Sequence, residues 1–283
     1  MQPGSDHTRR ASLPPVRKPR LAAGRARAMG LPTRGTTNAN RLRRADRWLV
    51  ATQVPRLRDA ARPLVVDLGY GASAVTTLEL VDRLAPEIDR LEVVGLEIDP
   101  ARVEAVAGYR DPPRIDFRVG GFELAGLRPV LVRAFNVLRQ YDEESAGRAW
   151  DTMRGALAPG GLVVEGTCDE WGRRATWVAL DEDGPLTLTL AARVQDLEWP
   201  SDLAERLPKA LIHHNVPGEP VHTFLRAFDA AWAAAAGLST FGPRQRWTAA
   251  CAALAADGWP LVGPERRWRQ GEVTVRWSAV AAA

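Results

Sequence analysis

The sequence predicts an α/β protein: a seven-stranded, mostly parallel sheet with helices on both faces and an antiparallel C-terminal strand. Three observations predict it. Short, near-continuous runs of Val and Leu alternate with longer helical stretches, as strands buried on both faces alternate with crossover helices. The first such run ends in an acid and a two-glycine turn that opens directly into a helical pattern. The last two apolar runs are joined by a short Gln270-Gly271 turn, the mark of antiparallel neighbours.

Asn40 reads as an N-cap, with Leu42, Ala45 and Leu49 at helical spacing behind it and Pro55 ending the segment. Leu64–Leu68 then reads as a strand, Ala74–Leu84 as a helix and Leu91–Glu97 as a second strand. Asp99-Pro100 opens the next helix, Asp as N-cap and Pro in the first turn. Ile115–Val119 and Val130–Phe135 are strands three and four. Glu143–Leu157 is a helix closed by Pro159-Gly160-Gly161, and Leu162–Thr167 is the fifth strand. Beyond it, Thr176–Leu180 and Leu186–Val194 flank Asp181-Glu182-Asp183-Gly184 as a hairpin, and helical material covers about 201–236. A helix over Arg244–Ala256 precedes two final strands, about Trp259–Trp268 and Glu272–Ala279. Residues 29–283 are expected to form one domain, with about 170–240 inserted after the fifth strand.

With 283 residues and 46% hydrophobic composition, the chain has enough apolar surface for a sizeable core. No run approaches the roughly 18 apolar residues that a membrane-spanning helix needs. Cys168 and Cys251 stand far apart, outside any metal-ligand spacing, which predicts neither a disulfide framework nor a metal site and fits a cytoplasmic setting. Residues 1–28 carry seven arginines and lysines and one acid, a charge of +6; taking that from the net +4 leaves −2 for residues 29–283. This basic, aperiodic tail is expected to be disordered. Clustered arginine also makes it a candidate arm for nucleic-acid phosphates.

The chemistry concentrates in Pro63–Ser73, "PLVVDLGYGAS". A buried strand ends near Asp67 and turns through Gly69, Tyr70 and Gly71, past Ser73, into a helix. Glycines there let backbone approach a ligand closely, and the helix N-terminus offers unpaired N–H groups. Twenty-six residues beyond Gly71, the second strand ends at Glu97, where a carboxylate can accept hydrogen bonds from a ribose diol.

This constellation resembles the class I S-adenosylmethionine-dependent methyltransferases, a Rossmann-like family. Asp67, Gly69 and Gly71 match their first motif, with Ser73 in place of its last glycine, and "GLEIDPARV" matches the second. "LAPGGLVVEG", Leu157 to Gly166, is similar to the turn these enzymes place before strand five. The resemblance covers about residues 60–168. It implies a methyltransferase with S-adenosylmethionine as cofactor: Glu97 on the ribose, Ile98 beside the adenine, and Asp67 toward the amino end of the methionine moiety. The third motif departs: Gly121 stands where the family carries an acid for the adenine amine, although Phe122 can cover the ring.

The resemblance also directs attention to Asn136, at the end of the fourth strand, as a contact to cofactor or acceptor. The Pro-Pro that follows this Asn in methyltransferases of planar nitrogens is replaced by Val137-Leu138, which argues against a nucleobase amine. His213 and His214, in "LIHHNVPGEPVH", are where a general base is sought if the acceptor must lose a proton. Thr36, Asn38 and Arg41 are further candidate cofactor contacts. The acceptor is left unidentified, with a small molecule preferred. The alternatives are a non-catalytic cofactor-sensing or nucleic-acid-binding protein on this fold, and an NAD(P)-binding oxidoreductase. Asp67 speaks against the last, because a carboxylate is unfavourable against a pyrophosphate.

Overall fold

The computed structural model describes residues 38–282; the basic tail expected over 1–28, and Thr36, lie outside them. The first helix, α1 (Arg43–Asp59), runs through Pro55 instead of stopping there, because Val54 and Leu57 anchor its last turns in the core. Asn40 is not its cap: it takes a left-handed conformation (φ 61°) and Leu42 precedes the first turn.

Strands β1 (Leu64–Leu68), β2 (Glu92–Glu97), β3 (Ile115–Val119), β4 (Leu131–Phe135) and β5 (Leu162–Cys168) form a parallel half-sheet ordered β3-β2-β1-β4-β5. Every residue of β1, β4 and β5 is buried, as their unbroken apolar runs require of strands covered on both faces. Helices α2 (Val75–Leu84), α3 (Pro100–Ala105) and α4 (Glu143–Gly155) make the crossovers. Asp99 caps α3 by accepting the Ala101 N–H, and Asp142 caps α4 by accepting the Ser145 N–H. Two apolar cores result. One holds Val65, Val93 and Leu131 with α1 and α2; the other holds Leu64, Val66 and Val132 with α4 and the C-terminal helices.

This is the Rossmann-like layout, but the sheet has eight strands rather than seven. The hairpin β6 (Arg174–Leu180) and β7 (Pro185–Ala192) pairs antiparallel onto β5 and extends the sheet, so this part of segment 170–240 belongs to the central layer. Of the two strands expected at the end, only β8 (Glu272–Arg276) forms, antiparallel to β7. Pro260 and Pro264 remove ladder donors from the other, leaving a single bridge at Leu261. The helical stretch expected over 201–236 is broken at Pro208 and Pro217-Gly218 into a 3-10 turn, the short α5 (Lys209–Ile212) and α6 (Pro220–Ala234). Helix α7 (Pro243–Ala256) packs on α6 through Trp247 and Phe228, ring centroids 4.8 Å apart. No helix among the described residues is long and apolar enough to cross a membrane.

Candidate cofactor-binding site

The crossovers run outward from β1 in one direction and from β4 in the other, which opens a crevice at the carboxyl ends of the strands. The bend after β1 sits at this crevice. Gly69 and Gly71 have φ of 71° and 84°, in the left-handed region where a side chain is strained. A Cβ at Gly69 would also lie 2.6 Å from the Val137 methyl. Two bonds tie the bend to the end of β2: the Gly69 N–H donates to the Leu96 carbonyl (2.7 Å) and the Gly71 N–H to Glu97 Oε2 (3.1 Å).

Glu97 is therefore turned onto the bend, 5% exposed. Its Oε1 accepts from the Ile98 N–H (2.9 Å), and Arg102 Nη1 lies 3.3 Å from Oε2. Ile98 borders Gly121, where a Cβ would stand 3.6 Å from the Ile98 methyl and 2.9 Å from Glu123 Oε2. The Gly121 N–H donates to Glu123 Oε1 at 2.8 Å. A carboxylate does serve this corner, supplied from two residues further on; the acid in "GGFEL" is the signal that identifies it. Phe122 meets Tyr141 edge-on at 5.5 Å, joining the loop after β3 to the loop after β4. The structure thus brings Gly69, Gly71, Glu97, Ile98, Gly121 and Phe122 to one edge.

Other expected contacts are placed elsewhere. Asp67 does not face the bend: its carboxylate accepts two bonds from Arg133, its lateral neighbour on β4, at 2.9 and 2.7 Å, and a third from Thr77 at 2.7 Å. Arg133 is fully buried and also pairs with Asp46 of α1. Asp67 is thereby neutralised inside the fold and can neither hold a ligand's ammonium nor repel a pyrophosphate. Tyr70 points inward as well, edge-on to Phe117 at 5.2 Å. Burial, then the Glu97 and Asp67 carboxylates, hold its hydroxyl ionisation above the ordinary tyrosine range. Ser73 Oγ accepts the Val75 N–H at 3.3 Å, serving the start of α2.

Asn136 is a clamp rather than an acceptor contact. Its left-handed backbone (φ 61°) directs the carboxamide to β5, where Oδ1 accepts the Cys168 N–H (2.9 Å) and Nδ2 lies 3.3 Å from Cys168 Sγ. Asn38 and Arg41 likewise bind the turn after β5, through the carbonyls of Glu170 and Asp169. His213 is exposed. His214 lies between two carboxylates, Nε2 at 2.8 Å from Glu143 and Nδ1 at 3.7 Å from Glu219. Glu143 reaches it from the first turn of α4, a pairing across 71 residues that sequence spacing does not announce. No group of three metal-ligating side chains occurs among the described residues.

No protein-family model matches the chain, and no curated protein matches it. Partial similarity to solved structures is found. The cyclopropane synthase MmaA2 from Mycobacterium tuberculosis aligns at 20% identity and a TM-score of 0.32, over 42% of this chain and 41% of its own. The CcbJ methyltransferase from Streptomyces caelestis aligns at 19% and 0.36, over 54% and 66%. The magnesium protoporphyrin IX methyltransferase from Synechocystis PCC 6803, with bound SAH, aligns at 18% and 0.35, over 48% and 62%. The chain thus spans less than two thirds of the length of each.

Proposed function

We propose that the chain binds S-adenosylmethionine at the carboxyl edge of β1, β2 and β3 and transfers its methyl group to an acceptor. The observation that carries this reading is the Glu97 carboxylate accepting the N–H of Gly71: the acid that closes β2 and the bend that closes β1 form one site. The residues fit an adenosyl group. Glu97 would take the ribose diol; Ile98 and Phe122 would flank the adenine; Glu123, at Gly121, supplies the acceptor for its amine that the third motif lacks. The glycines at 69 and 71 keep the bend free of Cβ atoms where the methionine arm would pass.

The choice of an adenosyl cofactor over a dinucleotide no longer rests on Asp67. It rests on topology. Dinucleotide sheets join two parallel nucleotide-binding halves, whereas here the sheet turns antiparallel after β5, leaving a single complete half over β1–β3.

The sulfonium, when bound, supplies an already activated methyl group. What the protein must add is alignment and exclusion of water, and alignment alone is worth roughly 7–11 kcal/mol. His214 is the base proposed for an acceptor that must lose a proton; with Nε2 on Glu143, it is Nδ1, 3.7 Å from Glu219, that would have to turn from its carboxylate to accept it. A small-molecule acceptor is the preferred reading.

Titration calorimetry with S-adenosylhomocysteine tests the assignment. Glu97→Ala should weaken binding about ten- to a hundredfold, from the loss of charge-assisted hydrogen bonds worth about 1.5–3 kcal/mol. Equal affinity in mutant and parent refutes it, as does an absence of binding to the parent.

A further inference from the structure

The end of the sheet remote from the bend carries a cavity of about 170 Å³ lined by five arginines: Arg43, Arg44 and Arg47 from α1, Arg193 after β7, and Arg244 at the start of α7. Within a protein most arginines offset their charge locally, and elsewhere in this chain Arg58, Arg62, Arg83 and Arg110 do so by salt bridges. The side chains of Arg43, Arg47 and Arg244 form no hydrogen bond or ion pair among the described residues. Arg44 donates to the Gly172 and Gln270 carbonyls (3.2 and 3.0 Å), which fixes its guanidinium without neutralising it. Arg193 has one long contact to Asp196, 3.6 Å.

Glu272 is the single acid lining the cavity, and it is buried and paired to Arg267. Burial first, then Arg43, lower Arg44 to about 10, with Glu272 and Asp169 opposing the shift only in part. Their positions along the chain add a further cost. Arg43 and Arg44 open α1, and Arg244 stands in the first turn of α7, the helix ends at which the macrodipole disfavours a cation. An anion in the cavity would offset the repulsion among these cations.

We infer that this cavity is a binding site for a phosphate-bearing ligand. Guanidinium forks match the oxygens of phosphate in bidentate geometry, and several converging forks select it over a single point charge. The volume holds several water molecules, and so a phosphate or diphosphate group. Gln195 and Gln270 also line the cavity. The inference is independent of the methyl-transfer reading, because none of these residues belongs to the site at β1–β3.

The test is binding of pyrophosphate to the full chain, by calorimetry and thermal shift at ionic strength held constant with sodium chloride. The parent should bind and melt at higher temperature. The triple variant Arg43→Gln, Arg47→Gln, Arg244→Gln should lose at least tenfold in affinity while keeping the parent's circular dichroism, since Arg47 and Arg244 are exposed and none of the three side chains has a polar partner among the described residues. Should the triple variant misfold, Arg244→Gln alone should weaken pyrophosphate binding about three- to tenfold. Equal binding by parent and variants overturns the inference, as does a pyrophosphate shift no larger than that of chloride.

Given arginine-dependent binding, an unstructured RNA oligonucleotide separates the two sources of phosphate. RNA that displaces pyrophosphate from the parent, and binds the variant more weakly, identifies a nucleic-acid backbone. RNA bound equally by both, through residues common to them, identifies a free or small-molecule phosphate.

Discussion

Glu165 offers a quantitative test of the fold's energetics. It sits on β5, between Ala134 of β4 and Val178 of β6, and is 1% exposed. Neither carboxyl oxygen has a hydrogen-bond partner, and the neighbouring indole N–H of Trp150 is likewise unpaired. Burial raises its pKa from 4.5 to about 8, opposed only in part by Trp150 and Arg139. The folded state therefore holds a proton that the unfolded state releases near pH 4.5. Its share of stability is complete below pH 4.5 and is lost as pH rises toward about 8. At about 1.4 kcal/mol per pH unit, the loss approaches about 3 kcal/mol at pH 7 and about 5 kcal/mol above pH 8. Glu165→Gln removes this titration and leaves every other group in place. Urea unfolding of parent and variant at pH 5, 6, 7 and 8 should show the variant gaining on the parent by about 2.5 kcal/mol between pH 5 and pH 7. A difference that is flat with pH, or that moves in the parent's favour as pH rises, refutes the buried, protonated carboxyl.

Two further expectations concern the contacts that Asp67 and Asn136 make within the fold. Arg133→Met leaves the buried Asp67 carboxylate without its cation and Asp46 with Arg83 alone, and should cost about 3–5 kcal/mol in urea unfolding. Asn136→Ala strips the buried Cys168 N–H of its acceptor and should cost about 1–3 kcal/mol, with S-adenosylhomocysteine affinity, followed by calorimetry, changed less than threefold.

The first half of the fold is legible in the sequence because its signals are local. An apolar run of five residues, two glycines and an N-capped helix each declare themselves within a few positions, and β1, the bend, β2 and Asp99 stand where those signals place them. What is not legible depends on lateral register. Asp67 reads as a ligand contact until β4 is placed beside β1, which sets Arg133 directly against it. Arg133 itself, a lone charge in "LVRAF", reads as a flaw in a strand until both of its carboxylate partners are known. Asn136 is the same case between β4 and β5. The turn in "DEDG" announces the β6–β7 hairpin, but nothing local says that the hairpin docks on β5 and lengthens the sheet. The absence of a strand before β8 is legible in Pro260 and Pro264, which remove ladder donors from an otherwise apolar run.

Register also relates the two proposed sites. Cys168 pairs with Ala175, Ala175 with Ala191, and Ala191 with Glu272, so the arginine cavity at Glu272 lies on the same edge of the sheet as the carboxyl end of β5. From β1 to β7 there are four strand spacings, about 19 Å at about 4.8 Å each. A phosphate group small enough to fill the cavity does not span that distance, so a small phosphorylated ligand there would leave the affinity at the bend unchanged. A polymeric phosphate, such as a nucleic-acid strand, can lie along the edge and reach both. If the cavity's ligand also serves as methyl acceptor, it must then be long. Pyrophosphate would compete with such an acceptor for the protein without altering the affinity for S-adenosylhomocysteine, a pattern that a ligand confined to either site does not produce.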